Sequence, residues 1–246
     1  MTPQEQALLL NKAQTWFRTI ILPNHLANTA KLKEIKEFDI NPFLASYLAV
    51  FMTGELTSKS IAKALAYPRV LGQSITTSFG MNMQKFISDV LVNAFGSTTQ
   101  GIDIEFTDCV DGRKKYCQVK LGPNTINKDD VATIHGHFKA VRNLGRTNNV
   151  AVRQDDMVVG ILYGIDGQES GHYKKLRDAH DYALFIGKDF WHRLTGAEDF
   201  YDRLIHAISE VAQEANGKQV LSDVVAVLAK DSVIVALANA AKSRNI

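Results

Sequence analysis

Cysteine is scarce: Cys109 and Cys117 are the two in the whole sequence. That is too few for a disulfide framework and fits a cytoplasmic chain kept reduced. Long apolar runs are missing as well. The most apolar stretch, VVAVLAKDSVIVALANAA, is broken by Lys230 and Asp231, so no membrane span is expected. The opening residues, MTPQEQALLLNKAQTWF, lack the basic start and cleavage site of a secretory signal. Repeats and low-complexity linkers do not occur, and neither a Walker loop nor a Rossmann glycine pattern is present, so no nucleotide cofactor is expected. His135 and His137 form H-G-H on an expected helix, where they point about 200° apart. The other histidines show no ligand spacing, so a zinc or redox centre is not expected.

What is present is a core and an uneven charge. Hydrophobic residues make up 46%, enough for one large domain or a domain with a helical extension. Net charge is only +2, but nine Lys or Arg (113, 114, 115, 120, 128, 139, 142, 146, 153) face two acids (129, 130) between Gly112 and Arg153. That window carries +7 and leaves −5 for the rest. A basic field on a mildly acidic body fits a polyanion site; a solvated basic face is the alternative.

Periodicity sets the elements. Residues 1–75 read mostly as helix, punctuated at Pro23, restarting at Asn41-Pro42 and stopping near Pro68. Residues 76–95 form an amphipathic helix with Phe79, Met83, Phe86, Ile87, Val90 and Leu91 on one stripe. The period then becomes two: IDIEF (102–106) and KYCQVK (115–120) alternate around Asp111-Gly112, a hairpin signal. Residues 129–144 return to helix. MVVGILYG (157–164) and YALFIG (182–187) are buried strands, and 188–194, 199–215 and 221–242 are helices. The expected fold class is α/β, a mixed sheet flanked by helices on both faces. Residues 1–75 form its helical N-terminal region and residues 76–246 its core.

A two-residue loop at Asp111-Gly112 sets Asp103 opposite Lys120 and Glu105 opposite Gln118. These four then share one face, while Ile102, Ile104, Phe106, Cys117, Val119 and Leu121 take the other. Two acids, an amide oxygen and an ammonium suggest a hard-cation site, with Mg²⁺ shared between protein oxygens and phosphate. Asp103 would ligate it, Gln118 would offer its carbonyl oxygen and Val119 its backbone carbonyl. Lys120 would orient the attacking water. The alternative is an exposed polar face with cross-strand ion pairs.

Asp103 followed across a hairpin by Gln118-Val119-Lys120 resembles the PD-(D/E)XK nuclease motif, with Gln-X-Lys in place of acid-X-Lys. The helices at 76–95 and 129–144 are similarly placed. INPF (40–43), FMTG (51–54), Phe79-Gly80, VVGILYG (158–164) and KDFW (188–191) extend the likeness to type II restriction endonucleases of the EcoO kind, over residues 40–215. The resemblance implies a Mg²⁺-dependent homodimer that cuts double-stranded DNA at an interrupted, G·C-rich palindrome and leaves 5′-phosphates. It implies Asp103 as the motif aspartate and Lys120 as the motif lysine. Gln118 departs from the pattern and removes one anionic ligand. Glu105 on the same face, Asp89 on the preceding helix, or the amide oxygen alone would compensate; Gln118 as ligand with Glu105 as the added carboxylate is the favoured arrangement. A repair or junction nuclease on the same fold, and an inactive DNA-binding module, are the other readings.

The loop GPNTINKDD follows Lys120 at once. Asn124, Thr125, Asn127 and Lys128 are candidate DNA contacts, since amides match adenine edges and Lys matches guanine or phosphate. Asn127 would equally serve as a helix cap. Arg142, Arg146 and Arg153 are candidate phosphate or guanine readers.

Overall fold

The computed structural model describes residues 1–242. The chain starts with α1 (Pro3–Trp16), a π-helical turn (Phe17–Ile21), α2 (Leu22–Lys31), α3 (Pro42–Thr53) and α4 (Ser58–Pro68). A second π-helical stretch (Arg69–Ser74), α5 (Ile75–Phe86), a third (Ile87–Val92) and α6 (Asn93–Phe95) follow. Then come β1 (Ile104–Thr107), β2 (Lys114–Lys120), α7 (Lys128–Thr147), β3 (Met157–Ile161), α8 (Gly171–His180) and β4 (Ala183–Ile186). Four helices close the described chain: α9 (Lys188–Thr195), α10 (Phe200–Glu214), α11 (Gly217–Leu228) and α12 (Ser232–Lys242). The fold is α/β, with a mixed four-stranded sheet flanked by helices and a helical N-terminal region.

Pro68 is the last residue of α4, as expected, while Pro23 ends no helix. Pro23 falls in the first turn of α2, where its missing N–H costs little. Pro68 keeps helical dihedrals (φ −62°, ψ −34°) and is followed at once by the wider π turn. Such turns absorb a lost i→i−4 bond without breaking the rod.

Two compact units share the chain. One joins Met1–Trp16 to Met83–Ser209; the other joins Phe17–Asn82 to the segment from Glu210 onward. The second unit is a helix cluster. Ala45 and Ala49 of α3 and Ile61, Ala62, Ala64 and Ala66 of α4 are buried with Val224, Val225 and Leu228 of α11 and with Ile234 and Ala238 of α12. Its alanines let helix axes approach closely. The expected single helix over 221–242 is two helices. The first ends at Leu228, and Asp231 accepts the Val233 N–H at 2.9 Å, which caps the second.

The first unit holds the sheet, in the order β1-β2-β3-β4. The β1 and β2 strands are antiparallel, while β2, β3 and β4 run parallel. The crossovers α7 and α8 form one buried cluster with the sheet: Val131, Ile134 and Phe138 of α7 and Tyr173 and Leu176 of α8 meet Met157, Val159 and Ile161 of β3. Gly160 in β3 is forced by α9, because a Cβ there would lie 2.3 Å from the Phe190 ring. Helix α8 went unread in the sequence because GHYKKLRDAH buries only Tyr173 and Leu176.

The hairpin register differs from expectation by two residues. Ile104 faces Cys117 and Glu105 faces Tyr116, so Asp103 does not face Lys120, nor Glu105 Gln118. The turn spans four residues, 109–112, centred earlier than assumed. Asp108 fixes it by donating its N–H to the Arg113 carbonyl and accepting the Val110 N–H, both at 2.8 Å. A shift of two preserves which face each strand residue occupies. Ile102 is a further correction: β1 starts only at Ile104, and Ile102 packs with the α7 cluster.

The basic window is less free than its count implies. Lys115 is 1% exposed, and its Nζ lies 2.6 Å from Asp111 and 3.4 Å from Asp156. Arg113 pairs with Asp155 and Asp156, Lys114 with Glu105, and Arg153 with Asp155. Asp155 and Asp156 lie just beyond the window, so a linear count misses the charge they neutralise.

Candidate active site

Asp103 reaches the site along the edge of β2. Its N–H donates to the Cys117 carbonyl at 3.0 Å, and its Oδ2 accepts the Val119 N–H at 2.7 Å. The carboxylate thus fills a ladder position that a backbone carbonyl of β1 would otherwise occupy. On the opposite edge, the Lys120 carbonyl accepts the Leu162 N–H at 3.0 Å. Successive strand carbonyls point to opposite edges, so the Val119 carbonyl faces the Asp103 side.

Burial pushes the Asp103 carboxyl up from the usual carboxylate range; the Val119 N–H and the nearby Lys120 ammonium pull it down without cancelling that effect. Lys120 itself is half-buried at the end of β2, two residues from Gln118 on the same face.

Gln118 is 5% exposed. Its Nε2 donates to the Gly101 carbonyl at 2.5 Å and lies 2.7 Å from Nδ1 of His137. His137 went unassigned in the sequence. The signal for it was helix phase: it sits three residues after buried Ile134, so α7 turns it toward the sheet. His135 goes elsewhere, with Nδ1 2.9 Å from the Tyr182 hydroxyl and its ring stacked on His180 at 4.1 Å.

Glu105 is bonded to three other side chains. One oxygen accepts from Ser97 at 2.6 Å and Thr99 at 2.9 Å; the other pairs with Lys114 at 2.6 Å. Burial pushes its carboxyl up, but the hydrogen bonds from Lys114, Ser97 and Thr99 outweigh that and hold it below the ordinary glutamate range. Asp89 is exposed in the third π-helical stretch and accepts from the Ser88 hydroxyl at 3.1 Å.

The loop residues divide. Thr125 bonds the Gly122 carbonyl at 2.9 Å and the Tyr173 hydroxyl at 3.0 Å. Asn127 caps α7, accepting from the amides of Asp129 at 2.8 Å and Asp130 at 3.0 Å. Asn124, Lys128 and Arg146 are exposed, while Arg142 bonds Gln154 and Arg153 pairs with Asp155 at 3.2 Å.

The donor set is hard: a carboxylate, a backbone carbonyl on the same edge and an amide. Among the described residues no three His, Cys, Asp or Glu converge on a metal position. A cation here would share protein oxygens with water or phosphate, which fits a hard divalent ion.

The family model described as Type II restriction endonuclease EcoO109I matches residues 22–216. The chain belongs to that family. Membership makes it a site-specific endodeoxyribonuclease. Type II restriction endonucleases generally use a divalent metal and bind DNA. For this EcoO109I-type endonuclease, the matched span includes Asp103, Gln118, Lys120 and His137. No curated protein matches the chain. Among the described residues, no helix is long and apolar enough to cross a membrane.

Proposed function

We propose that the chain is a Mg²⁺-dependent homodimer that cuts duplex DNA at a short, interrupted, G·C-rich palindrome and leaves 5′-phosphates. The observation that carries this is the Asp103–Val119 hydrogen bond at 2.7 Å, which holds a carboxylate beside Gln118 and Lys120. Asp103, the Val119 carbonyl and the Gln118 oxygen would hold the cation, whose bound chemistry is Lewis acidity toward a phosphoryl oxygen and toward water. Lys120 donates a hydrogen bond to the attacking water and fixes it in line with the scissile P–O3′ bond. The water oxygen forms the new bond to phosphorus and gives up a proton to solvent, while the P–O3′ bond breaks and the departing 3′ oxygen takes a proton from solvent. Asn124, Lys128 and Arg146 are exposed and supply contacts to DNA.

Support for the homodimer comes from α3, which runs from the INPF segment into the FMTG segment. Phe43 is 86% exposed and Phe51 75%, and Tyr47 stacks on Phe51 at 5.9 Å. An exposed apolar surface of this kind marks an interface, and a palindrome calls for a second copy of the chain.

Digestion of a mixed-sequence plasmid with Mg²⁺, followed by sequencing of the fragment ends, tests the reading. Discrete fragments sharing one palindrome with 5′-phosphate ends are expected. Cutting confined to branched duplex, or tight binding without cutting, would overturn it.

A further inference from the structure

We infer that His137 is a positioning residue: together with the Gly101 carbonyl it turns the Gln118 amide oxygen toward the cation, making Gln118 a built neutral ligand and not a lost carboxylate. The inference rests on the cation site proposed above.

The orientation follows from hydrogen-bond chemistry. A backbone carbonyl only accepts, so the group 2.5 Å from the Gly101 oxygen must be the amide nitrogen. The same nitrogen lies 2.7 Å from His137 Nδ1, which therefore accepts, leaving the ring proton on Nε2. Both amide protons are used, and Oε1 is turned away from both partners. A buried amide with each proton bonded has one orientation, not two.

The surroundings are cut to this arrangement. Gly101 has φ +76°, and a Cβ on it would lie 2.3 Å from the His137 ring. Only glycine leaves room for the imidazole over Gln118. A glutamate at 118 would set a carboxylate oxygen against the Gly101 carbonyl, two acceptors without a proton between them. Position 118, Gly101 and His137 thus form a matched set, and the site carries one negative charge fewer than an acid-X-Lys site.

Calorimetric titration of Mn²⁺ into the full chain tests this, with melting temperature measured on each metal-free protein. Wild type is compared with Asp103→Asn, His137→Leu, His137→Asn and Gln118→Glu. His137→Leu should weaken Mn²⁺ binding by about tenfold or more, the cost of removing a group that orients a ligand. His137→Asn, whose Oδ1 occupies the place of Nδ1, should recover most of the affinity. Gln118→Glu should bind no tighter than wild type. If Asp103→Asn abolishes binding while His137→Leu binds as wild type does, the inference falls and the cation site stands. If Leu and Asn at 137 lose affinity equally and both lower the melting temperature, the histidine is merely structural and the inference falls. Tighter binding by Gln118→Glu overturns it as well. If wild type and Asp103→Asn bind alike, the cation site falls and takes the inference with it.

Discussion

The amide of Val119 donates to Oδ2 of Asp103 at 2.7 Å, so a residue sixteen positions earlier completes the ladder of β2 with its side chain. The bond makes Asp103 part of the sheet edge and limits how far the carboxylate can wander. Lys120 is the next residue along, which ties the spacing between acid and ammonium to backbone geometry.

Lys120→Ala should reduce cleavage by at least about 10²-fold, the scale expected for losing a group that handles the reacting water. DNA affinity should largely persist. Plasmid cleavage and gel-shift assays read the two effects, and unchanged cleavage would reject the assigned role.

Asp103→Asn should raise the melting temperature at neutral pH while abolishing cleavage. The Asp103 carboxyl is pushed up by burial, so the folded state holds its proton more tightly than the unfolded state. Its favourable contribution is complete below the unfolded pKa and is lost as pH rises through the folded one. The difference between variant and wild type should therefore be positive at pH 7.5 and shrink toward zero by pH 4. Melting curves across that range check the sign.

Asn127→Ala and Lys128→Ala should separate structure from DNA contact. Asn127 caps α7, so its loss should cost about 1 kcal/mol in urea unfolding. Lys128 is exposed and carries no cap. Its loss should leave unfolding unchanged and reduce the slope of log affinity against log salt by about one.

Phe51→Asp should yield a monomer in sedimentation. The ring is 75% exposed on α3, so the fold should tolerate the carboxylate. Double-strand cutting should give way to weak nicking or none, and a variant that stays dimeric and active would exclude α3 as the interface.

Much of the core was legible locally. Alternation in IDIEF and KYCQVK assigns faces within each strand, and burial of Ile104, Phe106, Cys117 and Val119 follows that pattern. The apolar run MVVGI is buried throughout as a central strand. The register was not legible, because it depends on how Asp108 folds the turn, and two turn lengths serve the same alternation. Helix α8 was not legible either: two buried residues in ten give too faint a stripe.

The sequence by itself determined the class of sheet, the hairpin and the alternation that puts Gln118 and Lys120 on one face of its second strand. These are set by short-range periodicity and by residue type, which a linear reading captures. Only the tertiary structure decided which partners those groups meet. His137 lies nineteen residues from Gln118, and the crossover of α7 onto the sheet brings the two together. Asp155 and Asp156 neutralise arginine and lysine from a different segment. Hydrogen bonds and ion pairs act over a few ångströms of space, and chain separation carries no record of them until the layers have packed.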